Sequence, residues 1–198
     1  ALDESPLKKG LLYAGTDDGS VQITDNRGSS WTKVTTFSGI PSNTRVNMIL
    51  ASLHDESTVY ATFNNQRQGD FKPYLLKSTD KGKTWTSIVG NLPEKGTVYC
   101  IRQDHLDANL LFVGTEFGAY FSNDAGKKWF KIAGLPTTSI YDLDIQKREN
   151  DLVAASFGRG FYVLDNYSPL RDLKHINLEK TAHIFPVKDA LLYVEATP

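Results

Sequence analysis

The stretch Ser78-Thr79-Asp80-Lys81-Gly82-Lys83-Thr84-Trp85 is one of three copies of an eight-residue signature. The other two copies are Thr24–Trp31 and Ser122–Trp129. All three fit the pattern Ser/Thr-x-Asp/Asn-x-Gly-x-x-Trp, and together they contain all 3 tryptophans of the chain. Recurrence of a motif every few tens of residues predicts a repeat architecture, so these copies decide the fold.

The chemistry of the signature predicts a hairpin turn. An Asp or Asn side chain can accept hydrogen bonds from backbone N–H groups just beyond it, and Gly takes the positive φ of a tight reversal. The leading Ser or Thr offers a second side-chain bond to the turn, and the Trp begins the next strand with its ring buried. We therefore expect a structural role for nine residues: Asn26, Gly28, Trp31, Asp80, Gly82, Trp85, Asp124, Gly126 and Trp129.

Short β-branched and aromatic runs recur around the signatures and predict strands. The runs that lead into a signature are Leu11–Thr16 with Val21–Thr24, Val59–Thr62 with Tyr74–Ser78, and Leu110–Thr115 with Ala119–Ser122. A fourth copy without Trp is Leu152–Ser156 with Phe161–Leu164, and opening strands are predicted at Val46–Leu50, Val98–Arg102 and Ile140–Ile145. The unit is thus four antiparallel strands, the blade of a β-propeller.

The signature resembles the Asp-box, or BNR repeat, of sialidase-like and sortilin-like β-propellers. In that family the box lies on the turn between the third and fourth strands of a blade, away from the ligand-binding face. The resemblance implies an all-β fold with about four blades of four antiparallel strands. It identifies a scaffold and not a reaction.

A closer resemblance begins at Leu111 and is strongest in the last third of the chain. It rests on Phe112–Gly118, Gly134-Leu135-Pro136, Gly158–Asp165 and Ser168–Arg171. This order is similar to the C-terminal part of the propeller in large bacterial sortilin-like "glycosyl hydrolase" BNR-repeat proteins, which often carry His where this chain has Phe157. The resemblance implies a bacterial protein that is secreted or at the cell surface; a periplasmic location is compatible as well.

The number of blades fits either four blades that close by themselves or part of a larger propeller, and we favour the second. At about 45 residues each, 198 residues supply about four blades, whereas propellers close with four to eight. The chain also opens on a second strand at Leu11, so we expect missing blades or another chain at the open edge. Residues 1–173 form the blades, and the tail 174–198 either adds edge strands through Ala182–Pro186 and Ala190–Val194 or links to a further module.

Composition excludes several classes of partner. The net charge is −1, from 22 basic and 23 acidic residues without a basic cluster, so nucleic acid is not expected. The apolar runs have strand length, so no membrane insertion is expected. Cys100 is the only cysteine, and one carboxylate per signature is too few for Ca²⁺. We predict no metal and no cofactor.

Three functional classes fit the sequence. The first is a non-catalytic scaffold that binds protein or glycan, the second a fragment of a sialidase- or xyloglucanase-like glycoside hydrolase, and the third a structural subunit of a surface assembly. Glycosidases of these types need opposed carboxylates or an arginine triad. Neither is recognisable here, so no catalytic residue is assigned.

Propeller geometry predicts where a ligand would bind. Loops between second and third strands, and between blades, meet at the face opposite the signatures. The charged residues on those loops are Asp17, Asp18, Arg67, Asp70, Glu116 and Arg159. We expect Arg159, between two glycines, either to face the channel mouth or to bridge two blades.

Overall fold

The computed structural model describes residues 1–176 and 182–187, in which fifteen strands form four antiparallel sheets, or blades. The first blade contains β1 (Leu2–Glu4), β2 (Leu12–Gly15), β3 (Val21–Thr24) and β4 (Thr32–Val34). The second contains β5 (Arg45–Ala51), β6 (Val59–Asn65), β7 (Asp70–Ser78) and β8 (Thr86–Ser87). The third contains β9 (Val98–Gln103), β10 (Leu111–Thr115), β11 (Gly118–Ser122) and β12 (Phe130–Lys131). The fourth contains β13 (Ile140–Gln146), β14 (Asp151–Ser156) and β15 (Phe161–Leu164).

The blades pack in chain order and do not close a ring. The first strand of each later blade contacts the blade before it: β5 packs on β2, β9 on β6, and β13 on β10. The longest helix of the described residues is α1 (Pro169–Asp172), which has four residues. The predicted all-β partial propeller is therefore confirmed.

The first blade has an opening strand that the sequence analysis missed. β1 pairs with β2 from Leu2 opposite Ala14 to Glu4 opposite Leu12, so the expectation that the chain begins on a second strand is wrong. The strand escaped notice because it is three residues long and contains two carboxylates. Asp3 Oδ2 accepts a hydrogen bond from Ala51 N at 2.7 Å, which ties this strand to the second blade.

The extra residues of the second blade lengthen a hairpin. The sequence analysis placed Arg67 and Asp70 on a loop between the second and third strands, but β6 continues to Asn65 and β7 begins at Asp70. Only a 3₁₀ turn, Gln66–Gln68, separates the two strands, and Gly69 ends it with φ 72°. The second blade therefore extends further at this end than its neighbours.

Apolar side chains fill the space between adjacent blades. β6 sends Phe63 towards the first blade and Tyr60 towards the third, and β10 sends Val113 towards the second and Phe112 towards the fourth. Because the middle strands are covered on both faces, their sequences are continuous apolar runs and do not alternate between apolar and polar residues.

The three signatures form turns with the same hydrogen bonds. In the second copy the Ser78 hydroxyl accepts a hydrogen bond from Gly82 N at 2.8 Å and donates one to Asp80 Oδ1 at 2.7 Å. Asp80 Oδ1 also accepts a hydrogen bond from Thr84 N at 2.8 Å. The first and third copies repeat these bonds through Asn26 and Asp124. Their two central residues all have positive φ, from 60° to 89°, as a type I′ turn requires.

The three tryptophans differ in their surroundings. Trp129 is 3% exposed, and its Nε1 donates to Ile88 O of the preceding blade at 2.9 Å. Trp85 is half-buried and lies edge-on to Phe37 of the first blade, with ring centroids 5.8 Å apart. Trp31 is 44% exposed, so the expectation that all three rings are buried is wrong for this one. The described chain contains no blade before the first that would cover it.

A buried ion pair connects the segment after the last blade to the third blade. Arg171 holds Asp104 through Nη2 to Oδ1 at 2.6 Å and Nε to Oδ2 at 2.7 Å, and the Asp104 side chain is 0% exposed. Leu106 and Asp107 donate backbone N–H bonds to the same carboxylate at 3.1 Å. Burial raises the pKa of Asp104, but the bonds from Arg171 and the backbone outweigh it and leave the pKa below its ordinary value.

The tail was expected to add edge strands to the last blade or to link to a further module. Residues 182–187 are described and contain no strand. Ala190–Val194 lies outside the described residues.

The burial of the tryptophans gives a first prediction. Trp129→Ala should lower the free energy of unfolding by about 3–5 kcal/mol, because a buried ring and its hydrogen bond are lost. Trp31→Ala should cost no more than about 1 kcal/mol, since its ring is half exposed to water. Urea denaturation of both variants measures the difference, and equal losses would contradict this account of blade packing.

The buried ion pair gives a second prediction. Arg171→Ala should cost about 3–5 kcal/mol at pH 7, because it leaves a buried carboxylate without its partner. The folded pKa of Asp104 is depressed, so its contribution is full above about pH 4 and is lost as the pH falls through the folded pKa. Asp104→Asn should therefore be less stable than the parent at pH 7 and lose less stability on acidification. Parallel pH profiles for parent and Asp104→Asn would refute this.

Candidate functional site

Four loops lie at one end of the blades, opposite the signature turns. We call this end the loop face. The four loops are the connections β2–β3, β6–β7, β10–β11 and β14–β15. The topology places the predicted residues Asp17, Asp18, Arg67, Glu116 and Arg159 at this end.

The two aspartates of the β2–β3 loop have different partners. Asp17 Oδ1 lies 3.1 Å from Arg45 Nε, at the start of the second blade. Asp18 accepts hydrogen bonds from the Thr16 and Ser20 hydroxyls, which lower its pKa to about 2. Asp18 therefore stabilises its own turn, whereas Asp17 orients a cation of the neighbouring blade.

Asp70 lies inside the long hairpin of the second blade. Its Oδ2 accepts from Tyr74 OH at 2.6 Å and from Asn65 Nδ2 at 3.1 Å. Burial raises the pKa of this carboxyl, but the two side-chain bonds outweigh it and lower the pKa overall. These contacts brace the hairpin, beside which a groove of about 780 Å³ runs past Phe71 and Lys95.

An aromatic platform lies at the loop face, where the first strands of the third and fourth blades begin. The rings of Tyr99 and Tyr141 are stacked, with centroids 4.3 Å apart and planes at 13°, and Phe157 lies 5.4 Å from Tyr141. Tyr99 is buried, whereas Tyr141 and Phe157 are 49% and 71% exposed. The sequence analysis missed this platform because its three residues come from two blades, and Tyr99 and Tyr141 look like ordinary strand residues.

A polar groove of about 340 Å³ adjoins the platform. Its lining consists of two guanidinium groups, three amide side chains and two phenol rings: Arg45, Arg67, Asn47, Asn64, Gln66, Tyr99 and Tyr141. Gln66 Nε2 donates to Tyr99 OH at 2.9 Å, and burial raises the pKa of Tyr99 to about 12. The phenol is therefore neutral at physiological pH and the groove offers both donors and acceptors.

Glu116 carries a buried carboxylate oxygen without a hydrogen-bond partner. Its backbone is held by Thr97 O, which accepts from Glu116 N at 3.0 Å, and by Ser139, whose hydroxyl donates to Glu116 O at 3.1 Å. Oε2 of Glu116 and the hydroxyl of Thr97 are both buried and unpaired. Buried polar atoms are nearly always paired, so unpaired ones are unusual within the fold.

The remaining predicted residue, Arg159, is exposed on the β14–β15 loop. Gly158 and Gly160 flank it with φ of 72° and 78°, so the loop turns sharply on both sides. Arg67 lines the polar groove, and Asp17 is linked to the groove by its ion pair with Arg45. Asp18 and Asp70 instead accept hydrogen bonds from side chains of their own hairpins. No cluster of three or more His, Cys, Asp or Glu side chains suited to a metal ion occurs in the described ranges.

Comparison with known sequences identifies glycoside hydrolases as relatives. A xyloglucanase from Hypocrea jecorina is 27% identical over 152 residues, which cover 69% of this chain and 18% of the enzyme. A xyloglucanase from Paenibacillus sp. is 26% identical over 174 residues, which cover 81% of this chain and 17% of the enzyme. The chain thus spans about a fifth of the length of the curated relatives it matches. No model of a known protein family matches it.

Solved structures share the fold. The GH74 enzyme of Niastella koreensis superposes with a TM-score of 0.66 at 16% identity, over 85% of this chain and 28% of that one. YCF48 bound to D1 peptide superposes with a TM-score of 0.61 at 17% identity, over 84% of this chain and 55% of that one. These are propeller proteins, so the comparison supports a propeller fragment. No helix in residues 1–176 and 182–187 is long and apolar enough to cross a membrane.

The unpaired oxygen of Glu116 gives a third prediction. Glu116→Ala should leave the free energy of unfolding within about 1 kcal/mol of the parent or raise it, because burying an unsatisfied polar group costs about 1–3 kcal/mol. Glu116→Gln, which keeps a polar group at this place, is the matched control. A loss of more than about 2 kcal/mol in Glu116→Ala, measured in urea, would show that Glu116 stabilises the fold.

Proposed function

We propose that the loop face binds a glycan, and that the chain is the glycan-binding part of a larger propeller protein of glycoside hydrolase type. One observation carries the proposal: the stacked Tyr99–Tyr141 pair with Phe157 beside a groove lined by amide and guanidinium groups. The xyloglucanase relatives favour a β-glucan backbone with side-chain sugars as the ligand.

The platform and the groove provide complementary contacts for a sugar. The C–H face of a pyranose ring is apolar and packs on an aromatic ring, while its hydroxyls need donors and acceptors placed around the rim. Tyr141 presents the exposed ring, and Asn47, Asn64 and Arg67 present the polar groups. We propose that the Glu116 carboxylate accepts a hydrogen bond from a ligand hydroxyl. We also propose that Arg159 extends the site across the fourth blade.

Catalysis by the longer protein is a further part of the proposal. A glycosidase needs a carboxylic acid and an opposed carboxylate about 5–10 Å apart across the scissile bond. On the first strand of the fourth blade, Asp142 is paired with Arg102 at 3.0 Å, which favours a structural role. We therefore propose that this chain binds and positions the polymer, and that a catalytic pair requires blades outside it.

The signature turns and the location complete the proposal. We propose that the three turns are Asp-boxes of the sortilin-like BNR group, supported by their shared side-chain bonds. We also propose a bacterial protein that is secreted or at the cell surface, because a polysaccharide is too large to enter a cell intact. A scaffold that binds protein is the second candidate, favoured by the exposed apolar edge of the fourth blade.

Binding of soluble xyloglucan tests the proposal. Isothermal titration calorimetry should detect binding by the parent chain, and Tyr141→Ala should weaken it about tenfold by removing one stacking surface. Trp31→Ala is the matched control, because it removes an equally exposed aromatic ring on the opposite face and should bind like the parent. Release of reducing sugar, assayed in parallel, should stay at background.

Two results would overturn this reading. Absence of binding to xyloglucan and to other β-glucans would leave the protein-binding scaffold as the better interpretation. Turnover by the parent that Glu116→Gln abolishes would instead place a catalytic residue in this chain.

A further inference from the structure

The first strands of the second, third and fourth blades share a β-bulge at the same position. In β5, β9 and β13 the pairing with the next strand skips one residue close to the loop face. The skipped residues are Asn47, Tyr99 and Tyr141. A bulge bends its strand and re-aims the extra side chain, and bulges are frequent next to active sites. The recurrence therefore draws attention to what these three side chains share.

All three skipped residues line the polar groove of about 340 Å³. Asn47 Nδ2 donates to Tyr99 O at 2.5 Å, and the rings of Tyr99 and Tyr141 are stacked. Three blades thus depart from regular strand pairing at the same place, and each departure supplies a side chain to one groove. The volume of the groove falls within the range of small-molecule sites. The groove is therefore a feature that the repeat itself builds.

The groups that this groove offers to a ligand are mainly cationic or donating. Arg45 pairs with Asp17, whereas the exposed Arg67 has no ion-pair partner in residues 1–176 and 182–187. Asn64 Oδ1 accepts a hydrogen bond from Gln66 N at 3.0 Å, which leaves the Nδ2 hydrogens of Asn64 as donors. A guanidinium is a planar fork of donors that matches a carboxylate in two parallel hydrogen bonds.

The charges around the groove also have a direction. Arg45 and Arg67 belong to the second blade, and Glu116 belongs to the third. Burial raises the pKa of Tyr99, and the negative charge of Glu116 raises it further, so the field of this carboxylate reaches the groove. An anionic group is therefore repelled on the side of the third blade and attracted on the side of the second.

We infer that the groove recognises an acidic sugar, a hexuronate, whose carboxylate binds Arg67 and whose ring packs on Tyr141. In a hexuronate the carboxylate replaces the hydroxymethyl group at the rim of the ring, so the apolar C–H faces stay free to pack on the exposed phenol ring. The inference rests on the proposed glycan site and names the sugar that this site selects.

Binding of a matched pair of disaccharides tests the inference. Cellobiouronic acid and cellobiose differ only in a carboxylate or a hydroxymethyl group on the terminal sugar. NMR titration of the parent chain should give a dissociation constant about tenfold lower for the acid, because a charged hydrogen bond is gained. Arg67→Gln keeps an amide donor but removes the charge, so it should bind both disaccharides alike. Arg148→Gln removes an exposed arginine from the β13–β14 turn and, as the matched control, should keep the preference.

Three outcomes would overturn the inference. Equal affinity of the parent for both disaccharides would do so, and so would a preference for the acid that Arg67→Gln retains, because the carboxylate would then be held elsewhere. A parent that binds xyloglucan but not cellobiouronic acid would refute the acidic-sugar inference and leave the proposed function in place. A parent that binds neither xyloglucan nor either disaccharide would contradict the proposed function as well.

Discussion

Each blade of this protein has two apolar faces, and only another blade can cover them. β10 illustrates the constraint, since Val113 and Phe112 point to opposite sides and both are fully buried. A single sheet of this kind is not stable alone, so the blades gain their stability from their neighbours. The exposed Trp31 at one end and the exposed Phe161 at the other mark where this mutual cover stops among the described blades.

The local parts of the fold were predictable from the sequence. The signature turns depend on side chains two to four residues apart, so the pattern around Asp80 or Asp124 contains all the information needed. β1 was not predictable, because its pairing is set by β2 and its own residues include two carboxylates. The exposure of Trp31 was missed for a related reason, since the burial of a ring depends on the blade beside it.

In the candidate site too, the sequence predicts local features but not contacts between blades. The loop positions of Arg67 and Glu116 follow from counting strands, but their surroundings do not. Tyr99 and Tyr141 lie at the same position of successive inner strands, and stacking between them arises only when two blades meet. The fixed Tyr99 beneath an exposed Tyr141 gives a rigid surface on a face that carries none of the signature turns. The residues proposed to bind a ligand and the residues that define the fold thus lie at opposite ends of the same strands.

The ion pair between Asp104 and Arg171 has a mechanical consequence. Arg171 follows the fourth blade in sequence, yet it is anchored in the third, on the loop after β9. A pull on the chain beyond α1 is therefore carried across to the third blade and does not peel β15 from β14 one hydrogen bond at a time. This cross-blade anchor therefore shelters the fourth blade from tension on the segment that follows α1.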